Sequence, residues 1–135
     1  MYWNGTENTM PFGFDSPYDL YLMDGAFGFN TFHSDAWGIY NSRLVNRWVF
    51  VAAVFYNGDI TKSKLYIDGE EQKMASLRGT PGTASVSSGG FVGSGPNGYR
   101  FGSKIDDVRI YTSSITVAEI ERLYNEGLPK YAMAK

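Results

Sequence analysis

Apolar and polar positions alternate in short runs along most of this chain, and turn-forming pairs separate the runs. In residues 18–32, YDLYLMDGAFGFNTF, two apolar runs flank Asp24-Gly25. A two-residue Asp-Gly between such runs predicts a β-hairpin. Alternation puts Leu20 and Leu22 on one face and Tyr21 and Met23 on the other, with Phe27 and Phe29 sharing a face after the turn. Arg47–Tyr56, RWVFVAAVFY, is nearly all apolar and ends at Asn57-Gly58. Such a run predicts a central strand covered on both sides, with Trp48 in the core. Lys64–Asp68 alternates again, with Leu65 and Ile67 inward and Tyr66 outward, and Asp68-Gly69 turns it into Glu70–Met74. Residues 79–90, GTPGTASVSSGG, have loop composition. Gly98–Tyr111 predicts one more strand, with Asp107 and Arg109 on one face.

The period changes once. Thr116-Val117-Ala118-Glu119 forms a capping box, and Val117, Ile120, Leu123 and Tyr124 make an apolar stripe at helical spacing. Gly127 and the following Pro129 predict the end of that helix, which would plug one end of the fold. The fold class expected is all-β: an antiparallel β-sandwich of jelly-roll type with one short C-terminal helix. No internal repeat or interdomain linker is present, so residues 1–135 read as one domain.

Composition narrows the function classes. Charged residues make up 19% of the chain and the net charge is −2. With no basic stripe, nucleic acid and anionic membranes are not expected partners. Cysteine is absent, so a small extracellular protein of this kind would rest on its core or a metal rather than on disulfides. The N-terminus lacks the basic-then-apolar pattern of a signal peptide, and no stretch approaches a membrane span of ~20 apolar residues. The unusual figures are 16% aromatic residues and 16 glycines. Aromatics favour strands, and surface Tyr and Trp make rigid platforms with a polar edge.

Three segments in order resemble the LamG-like, concanavalin A-like jelly-roll modules of bacterial carbohydrate-active and surface proteins. They are Arg47-Trp48 with Val51-Ala52-Ala53-Val54; Leu65-Tyr66-Ile67-Asp68-Gly69; and Phe101–Tyr111 followed by Glu119-Ile120 and Leu123-Tyr124. The agreement spans roughly residues 45–127. It is more specific for fold than for ligand. The resemblance implies two further strands ahead of Tyr2-Trp3-Asn4-Gly5, pairing near Lys104–Tyr111. On that expectation the chain is an excised or partial module of a larger secreted or surface protein. Its open edges would invite self-association or strand complementation by a partner.

Catalytic relatives resemble one another in a Glu-x-Asp-x-Glu strand that holds two carboxylates for retaining glycoside hydrolysis. That spacing is absent. Glu70-Glu71 and Asp106-Asp107 are adjacent pairs whose side chains diverge, and Glu119 is explained as a cap. His33 is the sole histidine, contiguous with Ser34 and Asp35, and contiguity does not create a triad. Gly89–Gly95 lacks the Lys-Ser/Thr ending of a phosphate loop. The chain therefore reads as non-enzymatic.

Sugar recognition needs a flat apolar platform and planar hydrogen-bonding groups, usually on loops at the rim of a rigid sandwich. Residues 30–41, NTFHSDAWGIYN, and 96–100, PNGYR, offer both. The candidate ligand-binding residues are Trp37, His33, Asp35, Tyr40, Asn97, Tyr99 and Arg100. Trp37 leads them as a platform, with rim packing as the alternative; a plain loop histidine and a strand-edge charge are the alternatives for His33 and Arg100. The resemblance also implies a calcium ion on loop carboxylates, for which Asp24 and Asp106 are the candidates, although neither lies in an EF-hand spacing. The expected function is a noncatalytic carbohydrate-binding module for a polysaccharide or glycan. Its affinity would be on the order of micromolar to millimolar at one shallow site. A structural or protein-interaction module of a cell-surface or virion protein is the rival.

Overall fold

The computed structural model describes residues 1–15, 18–86, 89–95 and 98–132. The strands are β1 (Thr9–Phe14), β2 (Asp19–Met23), β3 (Ala26–Asn30), β4 (Ala36–Tyr40), β5 (Val51–Val54), β6 (Lys64–Ile67), β7 (Glu70–Glu71), β8 (Ala75–Arg78) and β9 (Gly90–Val92), followed by helix α1 (Val117–Ala132). Two antiparallel sheets form, one ordered β8-β4-β3-β2-β1-β9 and the other β5-β6-β7. The fold class is the expected β-sandwich with a C-terminal helix.

The β2–β3 hairpin follows the sequence pattern. Asp24 and Gly25 both have positive φ, 48° and 82°, which is the backbone twist a two-residue hairpin turn needs. Leu20 pairs with Phe29 and Leu22 with Phe27. All four belong to the main core with Trp3, Tyr18, Leu44, Val49, Leu65, Ile67 and Phe101. Tyr21 and Met23 point to the other face, where they join Met10 in a smaller cluster. Phe55 ties the two sheets together. Its ring makes edge-on contacts with Phe14, Tyr18 and Phe29 at centroid distances of 5.1, 4.9 and 5.0 Å.

Four expectations are corrected. Residues 36–40 form strand β4 rather than rim loop, because Trp37 and Ile39 alternate across Gly38 and pair with Phe29 and Phe27. The apolar run 47–56 yields only β5, at one end of the small sheet. It is not a central strand, and Trp48 is half-buried, set edge-on to Tyr2 at 6.1 Å. Residues 98–111 form no strand; Arg100 and Lys104 make isolated bridges to Met10 and Tyr2. Without a neighbouring strand the alternation there has no ladder to enter, and Val108 and Ile110 stay exposed.

Helix α1 starts as expected, with the Glu119 amide donating to Thr116 Oγ1 at 3.2 Å. It does not stop at Gly127. It continues through Pro129 to Ala132, and Lys130 in that last stretch is ion-paired with Asp106 at 2.9 Å. The helix lies against the small sheet: Ile120 is buried, and the Tyr124 ring packs 5.8 Å from Phe50 and against Gly69.

Candidate functional site

The segment leading into β4 is organised by one carboxylate. Asp35 is 0% exposed. Its Oδ1 accepts from the Thr31 and His33 amides, both at 2.9 Å, and its Oδ2 accepts from Thr31 Oγ1 at 2.9 Å. Asn30 closes the same turn by donating to the Asp35 carbonyl at 2.8 Å. These bonds hold Phe32 and Ser34 at positive φ, 67° and 52°, which non-glycine residues adopt only when surroundings fix them. Asp35 is thus an internal brace, out of reach of a ligand.

The brace positions a second loop. Thr31 Oγ1 accepts from the Gly82 amide at 2.7 Å, and the His33 ring lies so near Gly82 that an added Cβ would come within 2.6 Å of Nε2. Pro81, Gly82 and Thr83 then form one wall of a shallow cleft of about 270 Å³, with Trp37, Ser76 and the turn Gly58–Thr61 opposite. A second cleft of about 410 Å³ lies between Trp37, Thr61–Lys64, Glu71, Gln72 and Met74. Trp37 and Thr61 are common to both. The Trp37 ring is half-buried against the core, and its Nε1–H is buried without an acceptor. An unpaired indole N–H is uncommon, since buried polar groups are normally hydrogen-bonded.

Each cleft holds one carboxylate. Asp59 accepts from Thr61 N and Oγ1 at 3.1 and 2.6 Å and faces Lys62 at 3.4 Å. The Thr61 bonds hold its carboxyl below the usual carboxylate range. In the other cleft Glu71 accepts from Tyr66 Oη at 3.0 Å and is paired with Lys64 at 3.2 Å.

The remaining candidates fall elsewhere. Tyr40 is 72% exposed, three residues from Trp37 and so on the opposite face of β4. Tyr99 is set edge-on to Tyr21 at 5.4 Å on that same outer face. Burial, then Tyr99, pushes the Tyr21 hydroxyl up to about 12. Arg100 is exposed and bridges Met10 through its backbone. Asn97 lies outside the described residues. The expected constellation is therefore split: Trp37, with His33 behind the Gly82 wall, on one side, and Tyr40, Tyr99 and Arg100 on the other.

The calcium candidates are also separated. Asp24 is ion-paired with Arg78 and Asp106 with Lys130. Among the described residues no group of three or more His, Cys, Asp or Glu is gathered to hold a metal ion. Among the described residues no carboxylate cluster supplies the side-chain oxygens from which a calcium site of six to eight oxygens is usually built.

Thr61, Gln72 and Ser76, which meet Trp37 in the clefts, escaped the sequence reading. They come from three distant segments and carry no spacing signal of their own. The one local hint was Asp59-x-Thr61, a pattern typical of an Asx turn.

Two facing antiparallel sheets closed by a terminal helix, with clefts at the sheet rim, define a lectin-like sandwich. The laminin G-type family model described as the concanavalin A-like lectin/glucanases superfamily matches residues 3–121, and the chain belongs to that superfamily. No curated protein and no solved structure matches the chain. No helix among the described residues is long and apolar enough to cross a membrane.

Proposed function

We propose that the chain is a noncatalytic carbohydrate-binding module that seats a neutral glycan across Trp37. The observation that carries this reading is the place of Trp37 between two shallow clefts. A half-buried indole that lines both clefts offers an apolar surface for the face of a sugar ring. Thr61, Ser76 and Gln72 supply hydroxyl and amide partners around it. The cationic groups nearby are already ion-paired, Lys62 with Asp59 and Lys64 with Glu71, which favours a neutral sugar over an acidic one. A single carboxylate in each cleft favours binding over hydrolysis, because a retaining glycosidase sets two carboxyl groups ~5–5.5 Å apart across the scissile bond. Superfamily membership supports the same reading and an extracellular or cell-surface location.

The test is a binding screen of the purified chain against polysaccharides and glycans, with calcium and with a chelator. The leading hit is then measured with Trp37→Phe, Thr61→Ala and Gln72→Ala. Loss of affinity in these variants at unchanged melting temperature supports the site. Hydrolysis of a glycan that is abolished by removing Asp59 or Glu71 would overturn the noncatalytic reading.

A second reading, a protein-interaction module, is favoured by one observation: β5 is terminal in its sheet, and Val108 and Ile110 are exposed apolar side chains. A folded protein that binds no glycan in the screen shifts the weight to it.

A further inference from the structure

The cleft between Trp37 and the Pro81–Thr83 wall has few protons left to give. Its hydroxyls belong to Thr61, Ser76 and Thr83. Thr61 Oγ1 donates to Asp59 Oδ1 at 2.6 Å. Ser76 Oγ donates to the Gly79 carbonyl at 3.1 Å. Chemistry fixes the direction of both bonds, because a carbonyl and an ionised carboxylate can only accept. Asp59 is kept ionised chiefly by the Thr61 hydroxyl, which holds its carboxyl below the usual range.

Three amides of the lining are committed as well. Thr61 N donates to Asp59 at 3.1 Å, Gly58 N to the Ala84 carbonyl at 2.6 Å and Gly82 N to Thr31 Oγ1 at 2.7 Å. These bonds leave uncommitted the oxygen lone pairs of Thr61 Oγ1, Ser76 Oγ and the Asp59 carboxylate. Thr83 is exposed, and no hydrogen bond commits its hydroxyl among the described residues. A hydroxyl carries one donor and two lone pairs. Once the donor is spent, it recognises only a group that itself donates. A ligand group that brings another lone pair sets oxygen against oxygen and gains no bond.

We infer that this cleft takes sugar units whose hydroxyl groups are free, and that it turns away units capped there by O-acetyl or O-methyl groups. The inference rests on the glycan seat at Trp37 proposed above and narrows it to a substrate class: a neutral polysaccharide with unsubstituted hydroxyls on the unit beside Trp37. A free hydroxyl donates to Thr61 Oγ1 or Ser76 Oγ. An ester or ether at the same carbon has no proton to give, and its bulk must fit a cleft of about 270 Å³. A stranded acceptor then loses its water and gains nothing in return. The Asp59 charge acts in the same direction, since a carboxylate attracts a donor and repels the lone pairs of an ester. Its Oδ2 already faces Lys62 at 3.4 Å, so that charge is balanced without a cationic ligand.

The experiment uses matched polymers that differ only in substitution. Partly acetylated glucomannan and acetylated xylan are each set beside their alkali-deacetylated forms, and a β-glucan beside its partly O-methylated form. Each is titrated against the full chain by isothermal calorimetry. The unsubstituted member of a pair is expected to bind more tightly, by about tenfold for a lost donor. Thr61→Val keeps the shape of the side chain, removes the accepting oxygen and is expected to shrink that preference. Thr61→Ser keeps the oxygen and is expected to keep the preference. Because the ratio is read within one variant, a general loss of stability does not move it. Should Thr61→Val fail to fold, Ser76→Ala removes the other oxygen and is read in the same way. Equal affinity for both members of a pair, or tighter binding of the acetylated one, overturns this inference; where Trp37→Phe weakens both alike, the seat itself stands. A preference unchanged in both Thr61→Val and Ser76→Ala overturns it equally. A folded chain that binds none of the polymers overturns the seat, and this inference falls with it.

Discussion

Gly28 and Gly38 face each other across β3 and β4 so closely that a Cβ on either would come within 2.6 Å of the other's α-carbon. The two strands owe their spacing to the absence of side chains at that rung. Neither glycine has an unusual φ, so the demand is steric. Gly38→Ala is expected to lower stability by about 3 kcal/mol, at the upper end for forced overpacking. Chemical denaturation with an unchanged m-value is the check. Because Trp37 is the next residue, the variant should also weaken any ligand bound at the Trp37 clefts.

Asp35→Ala should behave differently. It leaves the Thr31 and His33 amides without their acceptor inside a buried turn. The expected loss is about 2–3 kcal/mol for stranded buried donors. Faster hydrogen exchange at Thr31, His33 and Gly82 should accompany it, since Gly82 is held through Thr31. Exchange confined to Gly82 alone would contradict the brace.

A pH dependence follows from Asp19. It is 0% exposed, and a backbone hydrogen bond from Phe14 offsets only part of that burial. Burial pushes its carboxyl from 3.8 up to about 7. The folded state thus binds the proton more tightly than the unfolded one. This group's contribution is fully present below about 3.8 and is lost as pH rises through about 7. The loss is on the order of 4 kcal/mol at most. Asp19→Asn should flatten that part of the stability curve and raise the melting temperature above pH 7 relative to the parent. A parallel curve for the two proteins would reject the assignment.

Tyr18→Phe tests how the sheets are tied. The Tyr18 hydroxyl is inside the core, donating to the Tyr56 carbonyl at 3.0 Å and bonded to Ser63 Oγ. Ser63 Oγ also accepts from the Tyr56 amide at 3.0 Å. Removing the hydroxyl is expected to cost about 1–3 kcal/mol, with the near-ultraviolet dichroism of the aromatic core retained.

Much of the fold was legible because it rests on local patterns. Asp24-Gly25 and Asp68-Gly69 both turn with positive φ, as those pairs favour. The inward set Leu20, Leu22, Leu65 and Ile67 follows from alternation alone. What failed depended on neighbours. The run 47–56 is apolar enough for a central strand, yet position in a sheet is decided by what lies on either side. Residues 98–111 alternate correctly and still form no ladder, because alternation supplies a face and not a partner. Trp37 reads as a loop platform because it lies between a polar turn and Gly38 with no apolar partner two residues before it; the match with Ile39 two residues on is the signal for β4.

The candidate site was legible only in its tryptophan. Tyr40 shares a segment with Trp37 but not a face, and period two sends residues three apart to opposite sides. Asp35 looked like a loop ligand, whereas its oxygens are consumed by the loop itself.

The two clefts beside Trp37 are shallow and open, and Trp37 and Thr61 line both of them. If the proposed glycan seat is right, a polymer lying over the indole would run in at one side and out at the other, and its interior units rather than its ends would meet Trp37.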